Sequence, residues 1–264
     1  MNFITQKRRT LSMLSAAGLT IAAICVSNVA AQGTSGSGTF TDKRDGKTYK
    51  TVKIGKYIWM AENLNYKTGN SRCYEDSTSY CDKYGRLYDW KTARTACPAG
   101  YHLPSSEEWD DLGKGVGDKR LVTDDGKILF LVAGKKLKAK KGWYNYDMEV
   151  LRKTLTVKFV ECDTCNGTDD YGFSALPGGK CSFNINDSLL ESSDGIGAVG
   201  NWWTTAKCRG ECAGGTFYQT RTMNSYGDFL EEGFGGVLEE IRIDGVSVRC
   251  VQGAGASGSS APKR

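Results

Sequence analysis

Cysteine content constrains this chain more than any other feature. The 264 residues contain ten cysteines, nine of which follow an N-terminal stretch with the pattern of a secretory signal. Exported proteins meet oxidising compartments, where cysteines pair as disulfides. The sequence therefore predicts a disulfide-stapled domain, in which the odd number leaves one thiol over if all the others pair.

Residues 1–31 predict export through a signal peptide. Lys7 to Arg9 precede a mostly apolar run over 11–26, and Val29 to Ala31 place small residues at a cleavage site. An uncleaved anchor is the alternative. Cleavage removes three cations and no acidic residue, so the formal net charge falls from +5 to +2. We expect a secreted, periplasmic or cell-surface protein, with no transmembrane segment in the mature chain and no nucleic-acid partner.

Composition divides the mature chain into three parts. Residues 32–38 and 253–264 are small, polar and rich in Gly and Ser, which predicts a flexible linker and a disordered tail. Residues 39–252 fit one domain and hold all six tryptophans. The densest basic run is interpreted as a solvated face: Lys135, Lys136, Lys138, Lys140 and Lys141.

Two hairpins are predicted from the alternation of side chains. Tyr49–Met60 alternates β-branched and aromatic residues on either side of Gly55-Lys56. Near the C-terminus, Asp244-Gly245 is a preferred pair for a type I′ turn. The residues predicted to share one side of that second hairpin are Ile241, Ile243, Val246, Val248 and Cys250.

Two short helices are also predicted. Leu87–Ala96 supplies the first. The second begins with a capping box, in which Ser105 is the N-cap residue and Glu108 the third helical residue. Trp109 and Leu112 then share a buried face through their i, i+3 spacing. We expect an α+β domain with small antiparallel sheets, these two helices and a loop-rich lobe.

Six sequence blocks occur in a fixed order along the chain. They are WMAENL (Trp59–Leu64), GRLYDWKTA (Gly85–Ala93), CPAGYHLPSSEEWDDL (Cys97–Leu112), YGFSALPGG (Tyr171–Gly179), GNWWTTA (Gly200–Ala206) and SVRCV (Ser247–Val251). Together they resemble the Fibrobacter succinogenes major paralogous domain, a family of secreted bacterial proteins, over roughly residues 39–252. This resemblance implies no established biochemical activity.

A more distant resemblance implies the fold. HLPSSEEW (His102–Trp109) is similar to the RLPTEAEW block of formylglycine-generating-enzyme-like domains, and SVRCV is similar to their closing strand. Both imply a C-type-lectin-like fold, in which the chain ends pair in one sheet and a cysteine beside a helix bridges to the final strand. The matching positions are Cys97 and Cys250.

The other cysteines leave more than one arrangement open. Cys73 and Cys81 bracket a short loop, and a local disulfide is the simple interpretation. Five cysteines then remain: Cys162, Cys165, Cys181, Cys208 and Cys212. They suit either two disulfides with a spare thiol or a tetrathiolate zinc site, and the oxidising compartment favours the disulfides.

Catalysis has few candidates in this sequence. We interpret His102, the single histidine, as structural and hydrogen-bonded to backbone groups, because no sequence-adjacent acid or nucleophile marks it. A formylglycine-generating oxidase uses a cysteine pair with copper, for which Cys208 and Cys212 are the nearest candidates. The NVWEW-type block of that family is missing, so we assign no catalytic residue and keep the oxidase as the alternative.

Calcium is the one cofactor with candidate ligands. Asp163, Asp169 and Asp170 crowd one loop with Glu161 and Asn166, and hard oxygen ligands of this kind suit calcium. The EPN, QPD and WND motifs of calcium-dependent lectins are missing from the sequence. A solvated acidic loop is therefore the favoured interpretation, and we predict no cofactor.

Aromatic residues supply the candidates for ligand binding. Trp143, Tyr144 and Tyr146 cluster where they are placed to stack on a sugar or peptide. Trp202 and Trp203 are neighbours, so on a strand they point to opposite faces, and one of them is expected to be exposed or to cover a loop. Packing in the core is the alternative for all five.

The sequence thus predicts a secreted or cell-surface, non-catalytic binding module. Its expected partner is a polysaccharide or a cell-surface protein. The alternatives are a formylglycine-generating-enzyme-like oxidase and a purely structural surface protein.

Overall fold

The computed structural model describes residues 36–147, 153, 158–184, 190–208, 215–238 and 242–253. Strands dominate these residues, with short helices between them, so the domain is of the α+β class. The predicted signal peptide and residues 254–264 of the predicted tail lie outside the described residues. Within the described part, every helix is too short or too polar to cross a bilayer.

The elements are numbered in chain order. The strands are β1 (Ser37–Thr41), β2 (Thr48–Ile54), β3 (Tyr57–Met60), β4 (Ser71–Arg72), β5 (Leu87–Tyr88), β6 (Leu121–Val122), β7 (Ile128–Phe130), β8 (Tyr144–Tyr146), β9 (Phe159–Glu161), β10 (Gly178–Asn184), β11 (Leu190–Ile196), β12 (Val199–Lys207), β13 (Gly215–Asn224), β14 (Leu230–Leu238), β15 (Arg242–Ser247) and β16 (Val251–Gln252). The α-helices are α1 (Thr78–Tyr84), α2 (Trp90–Ala96), α3 (Ser106–Gly115) and α4 (Ala133–Leu137), and 3-10 turns cover Tyr74–Asp76 and Asp163–Cys165.

The first sheet joins the two ends of the domain. Its antiparallel order is β1-β2-β3-β16. The β2–β3 hairpin turns at Gly55-Lys56, as predicted, and Gly55 has the positive φ of 61° that favours glycine. Strand β1 starts at Ser37, which pairs with Val52, so it begins inside the stretch predicted as a linker. Hydrogen bonding to β2 orders these small residues.

The second sheet is larger than the sequence suggested. Ten strands take part, in the order β4-β5-β15-β10-β12-β13-β14-β7-β6, with β11 paired to β10. The longest pairing joins β13 to β14. Strands β8 and β9 form a separate two-stranded sheet. Much of this architecture lies between residues 113 and 240, where local sequence signals are few.

The predicted turn at Asp244-Gly245 is wrong, because both residues lie within strand β15. They pair with Ser182 and Cys181 of β10. The Asp244 carboxylate accepts hydrogen bonds from the Ser182 hydroxyl (3.2 Å) and the Gly236 N–H (3.0 Å), so it is satisfied without a turn. A Cβ atom at Gly245 would lie only 2.6 Å from the Cys181 sulfur. Close packing, rather than a turn, therefore explains this glycine.

Both predicted helices are present, one with a shifted start. Helix α2 begins at Trp90 because Leu87–Tyr88 form β5 and Asp89 caps the helix. Helix α3 has the predicted capping box: the Ser105 hydroxyl accepts from the Glu108 N–H at 3.2 Å, and the Glu108 carboxylate accepts from the Ser105 N–H at 2.9 Å. The sequence did not predict α1 and α4.

Two hydrophobic cores cover the opposite faces of β12. Trp202 packs in one core and Trp203 in the other, and both are 0% exposed. The predicted alternation of the two side chains is confirmed, but the expected exposure of one of them is wrong. Trp202 belongs to a group of aromatic residues that we call the interior cluster, defined as Trp59, Trp109, Phe173 and Trp202.

Disulfides fasten three places among the described residues. The bonds are Cys73–Cys81, Cys97–Cys250 and Cys162–Cys165. The sequence predicted Cys73–Cys81 as a local disulfide, and the fold resemblance implied Cys97–Cys250. Cys208 is also disulfide-bonded. Within the described residues, Cys181 is the free thiol, and it is buried.

Candidate functional site

The β8–β9 hairpin presents aromatic rings on one face. Tyr146 lies directly opposite Phe159, and Tyr144 opposite Glu161. Opposed residues, and residues two apart on a strand, share a face. The Phe159 ring centroid is accordingly 5.6 Å from that of Tyr146 and 6.4 Å from that of Tyr144. Because Phe159 is 39% exposed, this face is an aromatic surface open to solvent.

A second aromatic surface comes from the segment that the Cys73–Cys81 disulfide encloses. Tyr74 in the 3-10 turn and Tyr80 in α1 have ring centroids 5.3 Å apart, in edge-to-face geometry. Tyr74 is 5% exposed, so the half-buried Tyr80 supplies most of the open part of this surface. Between them, Glu75 and Asp76 both have a φ of 51°. Non-glycine residues in this left-handed region carry strain, which clusters at functional sites.

The two aromatic surfaces and strand β11 enclose a groove with a volume of about 390 Å³. We call it the aromatic groove and define it by Tyr74, Tyr80, Tyr146, Phe159, Ser193 and Asp194. Its volume lies within the usual range of small-molecule sites.

The polar groups of the groove supply both hydrogen-bond donors and acceptors. Burial raises the pKa of Tyr74 to about 12. Burial and, second, the charge of Asp194 raise the pKa of Tyr146. Both phenols are therefore protonated near neutral pH and can donate hydrogen bonds. The Asp194 side chain is 66% exposed and its carboxylate lies 3.8 Å from the Lys180 ammonium, so it faces solvent as an acceptor.

The five predicted ligand-binding residues divide between the core and the hairpin. Trp143 is 1% exposed and its indole N–H donates to the Ala175 carbonyl at 2.9 Å, while Trp202 and Trp203 are fully buried. Three of the five are therefore unavailable to a ligand, because core packing covers them. Tyr144 and Tyr146 are half-buried on the hairpin, and Tyr146 lines the aromatic groove.

The cysteine candidates do not form a dithiol in the described part of the chain. Cys208 is disulfide-bonded, and Cys212 lies outside the described residues. Cys162 and Cys165 are bonded to each other, which fits the disulfide interpretation rather than the zinc site. Burial raises the pKa of the free Cys181 thiol to about 12, so it is protonated and poorly nucleophilic at neutral pH.

The calcium candidates are spread rather than gathered around one point. The Asp169 carboxylate accepts hydrogen bonds from the N–H and the hydroxyl of Ser174, at 2.7 and 2.6 Å, and braces its loop. Asp163 and Asp170 are exposed. Across the described ranges, no three His, Cys, Asp or Glu side chains are placed to hold a metal ion.

His102 has a carboxylate partner rather than the backbone partners expected for its ring. Its Nε2 lies 2.8 and 3.0 Å from the two oxygens of Glu108, the capping-box residue of α3. Its backbone bridges to Val251 of β16. The histidine thus connects the start of α3 to the first sheet.

The predicted solvated lysine run is wrong for Lys138. This side chain is 0% exposed, and its ammonium donates to the carbonyls of Asn224 (3.1 Å) and Gly227 (2.9 Å). Burial lowers its pKa to about 8. Lys135 and Lys136 are half-buried, and their ammonium groups also donate to carbonyl oxygens, whereas Lys140 and Lys141 are exposed.

Sequence reasoning missed most of the aromatic groove. Tyr74 and Tyr80 lie in the loop for which the sequence predicted only a local disulfide. The tyrosine content of that loop could have marked it as a candidate for ligand binding. Phe159 and Asp194 lie in the unassigned middle of the chain. The β8–β9 pairing and the β10–β11 pairing bring them together.

The fold and the groove define a class: a disulfide-stapled α+β domain with an accessible aromatic groove. The sequence profile of the Fibrobacter succinogenes major domain matches residues 52–252. The chain belongs to this family, as its six sequence blocks predicted. Neither the curated proteins nor the solved structures gave a match.

Proposed function

We propose that this protein is an exported, non-catalytic module that binds polysaccharide through the aromatic groove. One observation carries the proposal: aromatic rings, phenolic hydroxyls and exposed carboxylates line the same cavity. A pyranose ring has apolar C–H faces and a perimeter of hydroxyl groups. It therefore suits a site that combines ring faces with hydrogen-bonding groups.

Phe159 is the natural stacking platform. Its side chain has no polar atom, yet it is 39% exposed beside Tyr146. A sugar face laid over this ring would remove apolar surface from water, at roughly 25 cal/mol per Å². Tyr80, half-buried on the opposite wall, is placed to contact the same ligand.

Acidic and phenolic groups at the edge of the groove would fix the orientation of the sugar. The Asp194 carboxylate is an acceptor for sugar hydroxyls, and the Tyr146 phenol is a donor. Glu75 adds a second exposed carboxylate. We propose that binding needs no calcium, because these groups can hydrogen-bond a neutral sugar directly.

The walls of the groove are held before any ligand arrives. The Cys73–Cys81 disulfide fastens one wall, and the β8–β9 ladder fastens the other. A site that is rigid in its bound form loses less entropy on binding. We further propose a C-type-lectin-like arrangement for the scaffold, supported by the pairing of β16 with β3 and by the Cys97–Cys250 bond.

The test is a glycan array and a pull-down on insoluble cellulose, followed by calorimetric titration with the best soluble oligosaccharide. Phe159→Ala is the test variant. Phe234→Ala is the matched control, because Phe234 is a strand phenylalanine of nearly equal exposure (40%) that does not line the groove. We expect saturable binding that Phe159→Ala weakens at least tenfold and that the control and EDTA leave within twofold.

Two outcomes would overturn the proposal. Oxidised protein that binds no glycan on the array and no cellulose would favour the purely structural role. Equal affinities of Phe159→Ala and Phe234→Ala would place the binding site elsewhere on the molecule.

A further inference from the structure

A Cys-x-x-Cys disulfide lies beside a second cavity of the molecule. Cys162 and Cys165 are bonded across Asp163 and Thr164. This spacing is typical of dithiols that exchange with other thiols. We infer that this bond is a thiol–disulfide exchange site, whose substrate is the dithiol of an exported protein or peptide. The inference does not depend on the aromatic groove.

The two sulfur-bearing residues differ in accessibility. Cys162 is half-buried, whereas Cys165 is 3% exposed. Exchange requires a thiolate to reach one sulfur of the disulfide while the other sulfur leaves. The geometry therefore selects Cys162 as the attacked residue and Cys165 as the leaving group. The Thr164 hydroxyl lies 3.4 Å from the Cys162 sulfur, close enough to hydrogen-bond it.

A cavity of about 350 Å³ opens beside Cys162. Tyr144 and Asp163 contribute to its lining, whereas Cys165 does not. A substrate thiol that enters this cavity thus meets Cys162 first. The volume is within the range that accommodates a small ligand or a short stretch of peptide.

The surrounding loop is held by contacts that do not involve the sulfur atoms. The Asn166 side chain accepts a hydrogen bond from the backbone N–H of Trp143 and donates one to the Cys162 carbonyl, both at 3.1 Å. The Gly167 N–H donates to the Ala139 carbonyl at 2.9 Å. The disulfide itself joins positions only 3 apart. The bond can therefore open and re-form while the loop keeps its place.

The exchange proceeds in two steps. A substrate thiolate attacks the Cys162 sulfur and forms a mixed disulfide, while the Cys162–Cys165 bond breaks and its electron pair leaves with Cys165. The second substrate thiolate then attacks the substrate sulfur of the mixed disulfide and releases Cys162 as a thiolate. The substrate is oxidised to a disulfide, the protein is reduced to a dithiol, and the cysteines take up the two protons that the substrate lost.

The test equilibrates the mature protein in glutathione buffers of graded redox potential, followed by alkylation and peptide mapping. We expect Cys162–Cys165 to be reduced in a buffer that leaves Cys97–Cys250 and Cys73–Cys81 intact, with an unchanged near-ultraviolet circular dichroism spectrum. A synthetic dithiol peptide should be oxidised at the same time. Simultaneous reduction of all three bonds, or loss of the folded spectrum, would overturn the inference.

Two single variants test the asymmetry. Cys165→Ser leaves the accessible thiol and Cys162→Ser leaves the buried one, on the same background of free Cys181. With oxidised glutathione, the first variant should form a mixed disulfide at least tenfold faster than the second. Equal rates would contradict the assigned roles, and equal circular dichroism spectra of the two variants provide the folding control.

Discussion

The interior cluster and the aromatic groove are built from similar parts at similar spacing. Ring centroids of neighbouring residues in the interior cluster are 5.0 to 6.0 Å apart. Neighbouring rings of the groove are 5.3 and 5.6 Å apart. The difference is exposure: all four interior rings are 0% exposed, whereas the groove rings range from 5% exposure at Tyr74 to 39% at Phe159. Clustering of aromatic residues alone therefore says nothing about binding, and solvent access decides it.

Trp202 and the aromatic groove also differ in where their polar groups find partners. In the interior, the Trp202 indole N–H donates to the Asn63 side chain at 2.8 Å, and that amide oxygen also accepts from the buried Arg249 guanidinium. In the groove, the Asp194 carboxylate faces solvent. Trp202 is satisfied within the protein, whereas the indole N–H groups of Trp59 and Trp109 are buried without a partner among the described residues, and the groove keeps acceptors for a ligand.

The largest expected effect is the loss of the long-range disulfide, whose Cys250 is buried in the same core as Trp203. Cys97–Cys250 joins positions 153 apart, whereas Cys73–Cys81 beside the groove joins positions 8 apart. In the chain-entropy model, removing the first costs about 5 kcal/mol and removing the second roughly 2–3 kcal/mol. Urea unfolding of the two double Cys→Ser variants measures both. A smaller loss of unfolding free energy for the Cys97–Cys250 variant than for the Cys73–Cys81 variant would contradict this prediction.

The second-largest loss of stability is expected on truncating a side chain of the interior cluster. Trp202→Ala should lower the free energy of unfolding by about 3–5 kcal/mol, because it opens a cavity and leaves the Asn63 amide oxygen without one of its donors. Phe234→Ala, at an exposed position, should cost less than about 1 kcal/mol in the same urea titration. A loss below 1 kcal/mol for Trp202→Ala would contradict its place in the core.

Lys138 provides a pH-dependent test of burial. Its ammonium lies 5.1 Å from the centre of the buried Trp143 ring, and burial lowers its pKa from 10.5 to about 8. Between these two values, the unfolded chain holds the proton and the folded chain has lost it, so stability rises with pH. From pH 8 to pH 10 the wild type should gain about 2 kcal/mol relative to Lys138→Met. Parallel pH profiles of the two proteins would contradict a shifted lysine.

Sequence patterns predicted what short-range interactions determine. The Gly55-Lys56 hairpin and the Ser105–Glu108 capping box depend on neighbours a few residues away, and both are present. The Asp244-Gly245 turn failed because pairing with β10 outweighed a local preference. Burial of Trp143 could not be predicted from its neighbours either, because the Ala175 carbonyl that accepts from its indole N–H is distant in sequence.

The groove could not be predicted for the same reason. Tyr74, Tyr146 and Asp194 come from three separate parts of the chain, and only the long-range strand pairings bring them together. The sequence did identify Tyr146 as a ligand-binding candidate, through its local aromatic density. It could not distinguish that half-buried residue from the buried Trp143 three positions earlier.

The smallest expected effect on stability accompanies the largest expected effect on binding. Phe159→Ala and Phe234→Ala should each cost less than about 1 kcal/mol of unfolding free energy, because both side chains are partly exposed. The deciding measurement is calorimetric titration of both variants with the oligosaccharide that binds the wild type best. We predict at least tenfold weaker binding for Phe159→Ala and wild-type affinity for Phe234→Ala. Equal affinities for the two variants would contradict it.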